Sequence, residues 1–278
     1  MSGVISYLDA VILGVVEGLT EFLPVSSTGH LTIAEKFLGL PLDDTAVTAF
    51  TVIIQFGAIV ATFIYFWKDI ARLATAWGRG LFSAQARGHD YRFAWYVIAG
   101  SIPVVVLGYG LKSVVKGPLR SLWVVAAALI IWSAVMYVAE ARGRQKVTEE
   151  QLTLRQVLVI GLFQCIALIP GISRSGATIS GGLLQDVDRV TATRLSFFLA
   201  IPALTGASLF ELKDVKTSVV GWGPLAVGTL ISFVVAYASI AWLLRYVARH
   251  PLTVFIGYRI AAGVVLIGLL GTGVLSAK

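Results

Sequence analysis

Long runs without a charged residue limit this chain to very few folds. They cover 45–67, 93–111, 121–139, 195–210, 217–244 and 260–277. A helix needs about 17–25 predominantly apolar residues to cross a membrane. Five of the six runs reach that length, and 195–210 does so if its helix begins before Arg194. The sequence therefore predicts an all-α integral membrane protein with six transmembrane helices.

Composition agrees with a bilayer as the surrounding solvent. The 278 residues are 57% hydrophobic and only 13% charged, which is too apolar for a water-soluble domain of this size. A net charge of +7 would suggest a nucleic-acid partner in a soluble protein. Here most Lys and Arg residues lie between the apolar runs, so we expect membrane lipids, and no nucleic acid, as partners.

Two further apolar segments contain charges and are interrupted midway by Pro, Gly and Ser. They are 10–34, with Glu17 and Glu21, and 156–185, with Arg174. Non-helical backbone is tolerated at membrane depth only where protein buries it or where it lines a wet cavity. Each helical half is also short for a crossing. We therefore predict two re-entrant helix–loop–helix hairpins beside the six transmembrane helices.

The two interrupted segments resemble each other. Gly14-Val-Val-Glu17 recurs as Gly161-Leu-Phe-Gln164, and each is followed by Pro and a Ser-rich turn that ends in Gly. The chain is therefore interpreted as a single membrane domain with internal repeats of about 1–145 and 150–278. Each repeat has one hairpin and three crossings, so the second repeat is predicted to be inverted relative to the first.

The distribution of basic residues predicts the orientation in the membrane. With two hairpins, one side of the membrane holds 14 Lys and Arg residues and the other holds seven. The more basic side has its loops at 68–92, 140–155, 186–194 and 245–259. Cytoplasmic loops are enriched in Lys and Arg, so both termini are predicted to be extracytoplasmic.

Glu17 and Glu21 are four residues apart, so a helix presents both carboxylates on one face. Adjacent carboxylates repel each other unless a cation lies between them. Magnesium is typically bound by one or two carboxylates together with water and substrate phosphate. We therefore predict that Glu17 and Glu21 bind a divalent cation, Mg²⁺ or Ca²⁺. Two separate polar contacts are the alternative.

A polar run after Pro24 is predicted to begin the second helix of the first hairpin. It comprises Ser26, Ser27, Thr28 and Gly29. A helix start offers free N–H groups and a positive dipole end, which suit a phosphate. A plain Ser/Thr N-cap is the alternative.

His30 lies three residues after Ser27, so the two side chains share one face if the helix has begun there. They could then pair as general base and nucleophile. A histidine that merely satisfies a polar contact is the alternative. The nearby carboxylates and hydroxyls favour the functional interpretation.

The second hairpin is predicted to bind phosphate. Arg174 is the only Lys or Arg in 156–188, and arginine forms bidentate hydrogen bonds to phosphate. A structural ion pair with Glu17 or Glu21 is an alternative that does not exclude this role. The predicted phosphate contacts of this hairpin are Gln164, Ser173, Arg174, Ser175 and Thr178.

The two hairpin motifs resemble those of the bacitracin-resistance family of undecaprenyl-pyrophosphate phosphatases. The matching residues are Glu17-x-x-x-Glu21, Pro24-Val-Ser-Ser-Thr-Gly-His30 and Pro170-Gly-Ile-Ser-Arg-Ser-Gly-Ala-Thr178. The likeness covers the whole chain, including its length and span pattern. Taken together, the motifs are highly specific for this family.

The resemblance implies a multi-pass enzyme of the bacterial inner (plasma) membrane. It would remove the terminal phosphate of undecaprenyl pyrophosphate, recycle the carrier lipid for cell-wall synthesis and protect against bacitracin. It also implies a divalent-metal requirement and a site open to the extracytoplasmic side. The residues suggest that Ser27 attacks phosphorus and His30 takes its proton, with Glu21 and Arg174 also catalytic. Attack by His30 or by water is the open alternative.

A transporter or flippase of polyprenyl phosphates is the alternative function. Inverted repeats, broken helices and a polar site at the midplane are the recognised design of secondary transporters. The grouping of a nucleophile with metal-binding acids favours a hydrolase instead, because a carrier needs no such group. The sequence leaves open whether two copies of the protein form a homodimer.

Overall fold

The structure is a computed structural model that describes residues 5–41, 44–111, 114, 119, 121–212 and 221–277. Within these ranges it contains eleven α-helices, two short 3₁₀ turns and one isolated β-bridge. The helices are α1 (Tyr7–Thr20), α2 (Ser27–Phe37), α3 (Thr45–Tyr65), α4 (Trp67–Phe82), α5 (His89–Gly110), α6 (Leu122–Arg142), α7 (Leu154–Ile166), α8 (Arg174–Leu183), α9 (Arg189–Leu212), α10 (Trp222–Val247) and α11 (Thr253–Gly271).

Six of these helices are long and apolar enough to cross a membrane, as predicted. They are α3, α5, α6, α9, α10 and α11. The chain is therefore an all-α, multi-pass membrane protein. Most of the basic residues counted on the less basic side lie outside the described residues, namely Lys112, Lys116, Arg120, Lys213, Lys216 and Lys278.

Two segments that the charge comparison treated as loops are helical. The segment 68–92 contains α4, an amphipathic helix whose Lys and Arg residues made it resemble a loop. Arg259 was counted in the loop 245–259, but it lies inside α11 and is fully buried. A charge does not end a transmembrane helix when the protein buries and hydrogen-bonds it, as it does the Arg259 guanidinium.

The two interrupted segments form two pairs of short helices, α1–α2 and α7–α8. These helices contain 14, 11, 13 and 10 residues, so each is about 15–21 Å long. That is shorter than the hydrocarbon core of about 30 Å. The first helix of each pair begins with a capping box, formed by Ser6 with Asp9 in α1 and by Thr153 with Gln156 in α7.

Glycine contacts fix the first helix of each pair against a long helix of the other half of the chain. A Cβ atom added at Gly14 in α1 would lie 2.6 Å from the carbonyl oxygen of Gly228 in α10. A Cβ atom added at Gly161 in α7 would lie 2.3 Å from the carbonyl oxygen of Gly100 in α5. Small residues allow backbones in membranes to approach this closely. The glycines that mark the sequence repeat therefore hold equivalent close contacts.

The main apolar core surrounds the turn between α1 and α2. Phe22 in that turn is fully buried, and its ring centroid lies 5.5 Å from that of Phe197 in α9. Phe197 in turn packs at 5.5 Å against Phe66, where α3 ends. Aromatic pairs at such distances contribute about 0.5–1.5 kcal/mol beyond their buried area. This packing holds the turn, and the carboxylates beside it, in one position.

Candidate active site

The turns of the two helix pairs contact each other inside the protein. The first turn covers 21–26 and the second covers 167–173. The hydroxyl of Ser175, just beyond the second turn, donates a hydrogen bond of 3.1 Å to the carbonyl of Leu23 in the first. The prediction that the two tips meet is therefore confirmed.

Glu21, Ser27 and Arg174 form one connected buried group. Arg174 Nη2 lies 3.3 Å from Glu21 Oε1, and the Ser27 hydroxyl donates a hydrogen bond of 2.5 Å to Glu21 Oε2. The side chains of Glu21 and Arg174 are only 4% and 11% exposed. Removing one partner of a buried ion pair leaves the other charge uncompensated, which costs about 3–5 kcal/mol. Glu21 of the first helix pair and Arg174 of the second therefore depend on each other for charge compensation.

Three further contacts hold the Arg174 side chain in place. Its Nη1 donates a hydrogen bond of 3.1 Å to the carbonyl of Ser196 in α9. Its guanidinium carbon lies 5.7 Å from the centre of the Phe22 ring, which is within range of a cation–π contact. Its Nη2 also lies 3.4 Å from the main-chain carbonyl of Glu21. Arg174 is thus fixed from several sides.

Several buried polar atoms around this group have no hydrogen-bond partner. They are Glu17 Oε1, both amide atoms of Gln164, and Arg174 Nε. Glu17 and Gln164 are each only 1% exposed. Buried polar atoms without a partner are rare, and each costs about 1–3 kcal/mol or more. Their concentration at one place is typical of a binding site.

Two adjoining polar cavities lie at the meeting point of the turns. The larger, of about 310 Å³, is lined in part by Glu17 and Thr28. The smaller, of about 180 Å³, is lined in part by Gln164, Ser173 and Arg174. Both are lined by Ser27, Thr28, Gln55 and Pro170. One ligand can therefore contact residues from both hairpins.

The start of α2 faces this space without a side-chain cap. The preceding residue, Ser26, has φ of +83° and makes no capping hydrogen bond. A non-glycine residue in this region is strained, and such strain concentrates at functional sites. The prediction that the polar run begins the second helix is therefore confirmed, and no side chain caps the first N–H groups of α2. Such a helix start suits a negatively charged ligand. Gly29 packs against α6, where an added Cβ would lie 2.9 Å from Val125.

His30 does not pair with Ser27. Its Nδ1 lies 2.7 Å from the carbonyl oxygen of Ser26, and its Nε2 lies 2.7 Å from the Tyr258 hydroxyl. The tautomer with hydrogen on Nδ1 satisfies both contacts, with Tyr258 donating to Nε2. Both ring nitrogens are therefore occupied, and Glu21 accepts the Ser27 hydrogen bond instead. The predicted pairing is wrong because two residues on one helix face can still turn toward different partners.

Ser175 and Thr178 also lie away from the cavities. Ser175 binds the first turn, and the Thr178 hydroxyl donates a hydrogen bond of 2.7 Å to Ser196 Oγ. Neither residue lines either polar cavity, and both are buried. Their placement differs from the predicted phosphate contacts, because their hydroxyls hold the second turn in position. Ser173 lines the smaller cavity and also caps α8 through Gly176 N–H.

Arg259 in α11 joins the two turns and was missed in the sequence. Its guanidinium donates to the carbonyl of Pro24 at 3.4 Å and to that of Gly171 at 3.0 Å. It also donates to Ser133 Oγ and to the carbonyl of Ala128 in α6. Gly171 has φ of +97°, a conformation that favours glycine. A charge within an otherwise apolar stretch was the signal that identified Glu17, and Arg259 shows the same signal.

Glu17 and Glu21 fit a hard divalent cation. The donors at this point are carboxylate, hydroxyl and amide oxygens, which suit Mg²⁺ or Ca²⁺ rather than a softer metal. Glu17 Oε1 is buried and has no partner. No group of three or more His, Cys, Asp or Glu capable of holding a metal occurs in the part of the chain that the structure describes. Two carboxylates completed by substrate oxygens agree with the usual magnesium arrangement.

Comparison with known proteins identifies the family. The family described as "Bacitracin resistance protein BacA" matches residues 10–265. The chain belongs to this family. Among its relatives, "Undecaprenyl-diphosphatase 1" of Streptomyces avermitilis is 58% identical over 275 residues, which cover 98% of this chain and 99% of that protein.

Two other relatives are also similar over nearly their full length. "Undecaprenyl-diphosphatase 1" of Streptomyces coelicolor is 59% identical over 273 residues, covering 98% of each chain. "Undecaprenyl-diphosphatase" of Cutibacterium acnes is 48% identical over 283 residues, covering 98% of this chain and all of that protein. The resemblance noted in the two hairpin motifs is therefore confirmed across the chain.

Proposed function

We propose that this protein hydrolyses undecaprenyl pyrophosphate to undecaprenyl phosphate and inorganic phosphate. Relatives that match this chain over nearly its whole length carry the name undecaprenyl-diphosphatase. The hydrogen-bonded group of Ser27, Glu21 and Arg174, built from both turns, is the observation that carries this proposal. The reaction recycles the carrier lipid for cell-wall synthesis and, as the family description indicates, contributes to bacitracin resistance.

Ser27 Oγ is the nucleophile in this proposal. Its hydrogen bond to Glu21 Oε2 makes that carboxylate the group in reach of its proton. Attack on the terminal phosphorus forms a phosphoserine and releases undecaprenyl phosphate. Water then attacks the phosphoserine and releases inorganic phosphate. Glu21 replaces His30 as the proton acceptor, and His30 instead holds the Ser26 carbonyl.

Arg174 and the start of α2 bind the phosphate oxygens. Arg174 Nε has no partner, although the other guanidinium nitrogens are engaged. The uncapped N–H groups of α2 supply further donors. Phosphoryl transfer depends chiefly on positioning and on neutralising charge, which these donors provide. The Gln164 amide is a further donor facing the smaller cavity.

Glu17 and Glu21 would hold the divalent cation, Mg²⁺ or Ca²⁺. When bound, such a cation neutralises charge on the pyrophosphate oxygens. Glu17 supplies a carboxylate oxygen without another partner, whereas Glu21 already binds Ser27 and Arg174. Glu17 is therefore the more dedicated ligand of the two.

We further propose that the helix pairs are re-entrant hairpins in an inverted repeat. The matching close contacts, Gly14 with Gly228 and Gly161 with Gly100, support this arrangement, because each links one half to the other. The larger cavity supports an extracytoplasmic opening. It is lined by Ser121 and Ala277, near the ends that the basic residues place on that side. A homodimer stays a prediction.

Phosphate release by the purified protein tests the proposed function. The protein is incubated in detergent with undecaprenyl pyrophosphate and Mg²⁺ or Ca²⁺, and inorganic phosphate is measured. A hydrolase releases phosphate with no membrane to cross, whereas a transporter or flippase releases none. The absence of phosphate release by folded protein with either cation would refute the proposal.

A further inference from the structure

An apolar groove runs between α5 and α9 on the outside of the helical bundle. Its volume is about 320 Å³, within the range of small-molecule sites. Four small residues create this space between the helices. They are Gly108, Ala203, Gly206 and Ala207. The rest of its lining is mainly apolar, from Val104, Val105, Tyr109, Leu168 and Phe210, with Glu211 also present.

The groove continues directly into the smaller polar cavity. Val104, Leu168, Ala203 and Ala207 line both spaces. The polar cavity holds Arg174, and its Gln164 side chain is 1% exposed with both amide atoms unpartnered. A ligand with its charged end at Arg174 therefore has an apolar path leading away from that end.

This path opens toward the surrounding lipid. Val105 and Tyr109, which line the groove from α5, are 54% and 74% exposed. On the α9 side, the lining residues Gly206 and Ala207 are exposed as well. Both helices are long and apolar enough to cross the membrane, so this outer face contacts hydrocarbon. A long apolar chain can leave the protein here without meeting water.

A second apolar cavity provides the contrast. It lies between α3 and α10, has a volume of about 480 Å³ and is lined in part by Phe56, Trp222 and Phe233. It shares no lining residue with either polar cavity. A molecule in that cavity would contact none of the residues that line the polar cavities. Continuity with the polar site therefore distinguishes the α5–α9 groove.

We propose that the α5–α9 groove binds the first isoprene units of the polyprenyl chain while the pyrophosphate occupies the polar cavities. This inference rests on the proposed function. The chain packs against small residues and orients the terminal phosphorus toward Ser27. Binding that does not change during the reaction alters KM rather than kcat. Filling the groove should therefore weaken substrate binding and leave the chemical step nearly intact.

Gly206→Trp tests the groove in kinetic experiments. No atom lies within 4 Å of a Cβ placed at Gly206, so the indole can extend into the groove. KM for undecaprenyl pyrophosphate should rise at least about tenfold, with kcat within about threefold. The inhibition constant of inorganic pyrophosphate, which has no polyprenyl chain, should not change. An unchanged KM would overturn the proposal.

Gly268→Trp is the matched control. Gly268 lies in the last turn of α11, is exposed and likewise has no atom within 4 Å of an added Cβ. Its KM should equal that of the unchanged protein. If Gly206→Trp fails to fold, the smaller Gly206→Leu is used, with the same expected direction. An equal rise in KM for the control would refute a specific role for the groove.

Photocrosslinking tests the groove independently of turnover. A polyprenyl pyrophosphate with a photoreactive group on its first isoprene units is bound to the full-length protein and irradiated. Label on α5 and α9 within 104–109 or 203–210 would support the groove. Label on the α3–α10 cavity, or on neither, would overturn it. Absence of phosphate release together with label in the groove would refute the proposed function and leave the binding inference standing.

Discussion

The two turns share a backbone plan but differ at the first residue of the following helix. In the second turn Ser173 caps its own helix by accepting from Gly176 N–H, and the first helical residue is Arg174. In the first turn Ser26 leaves the helix start uncapped, and the first helical residue is Ser27. The first helix start therefore presents a serine hydroxyl beside N–H groups that no side chain caps. The second is capped by its own serine, and its first residue, Arg174, forms an ion pair with Glu21 of the first turn.

The helices that lead into the turns differ in the same way. Glu17 before the first turn corresponds to Gln164 before the second, and both side chains are buried with unpartnered atoms. A carboxylate can bind a cation, whereas an amide can donate to phosphate. Two helix pairs of similar sequence thus supply complementary groups to one candidate site. Neither pair contains a complete set of groups for phosphoryl transfer.

The largest effect is expected from Ser27→Ala. Loss of the attacking oxygen should lower turnover by about 10⁴-fold or more. Ser175→Ala, which changes a hydroxyl of the other hairpin, should stay within about tenfold of the original rate, since Ser175 binds only protein groups. Phosphate release and mapping of a trapped phosphoenzyme measure the difference. Label on His30, or equal losses in the two variants, would contradict the assignment.

The next largest losses of turnover are expected from Glu21→Gln and Glu17→Gln. The two variants separate proton acceptance from cation binding. Glu21→Gln should lower turnover by about 10²–10⁴-fold at every cation concentration, because it removes the proton acceptor. Glu17→Gln should weaken cation binding, so that a saturating cation restores most of the rate. Activity is titrated with Mg²⁺ and Ca²⁺. Unchanged titrations in both variants would show that the carboxylates serve only the structure.

Arg174→Ala tests the contribution of the second hairpin. Turnover should fall by about 10²–10³-fold, the loss typical of one charge-stabilising donor in a transition state. Arg174→Lys should recover part of this loss, because it keeps the charge facing Glu21 but not the planar arrangement of donors. Steady-state phosphate release is compared with elution on size exclusion in detergent. Near-normal release from folded Arg174→Ala would refute phosphate binding by this residue.

The smallest effect on chemistry is expected from Arg259→Lys. Lysine keeps the charge but cannot reach all four acceptors of the guanidinium, so the two turns should be held less firmly. We expect a melting temperature lower by several degrees and turnover reduced by about tenfold or less. Thermal unfolding in detergent measures the first quantity. An unchanged melting temperature would show that the turns need no such link.

The sequence predicts the membrane fold well where charge and helix-breaking residues are decisive. Six spans, two pairs of short helices and the contact of Glu21 with Arg174 all follow from the rarity of buried charge. The amphipathic helix α4 was missed because its basic residues resemble those of a loop.

Side-chain partners within the site are less predictable. His30 and Ser27 share a helix face, yet His30 binds Tyr258, which lies 228 residues away in the sequence. The partner of Thr178, Ser196, likewise comes from another helix. These choices depend on the packing of α9 and α11, which spacing within one motif does not specify.

The contacts of Arg259 form late in synthesis of the chain. Chains grow from the N-terminus, so both turns emerge well before α11, the last helix in the described part of the chain. The guanidinium that joins Pro24 to Gly171 is thus among the final groups to arrive. A nascent chain that stops before α11 already contains Glu21, Ser27 and Arg174, yet lacks the contact that aligns their turns. The alignment of the two turns through this guanidinium therefore requires that α11 has been synthesised.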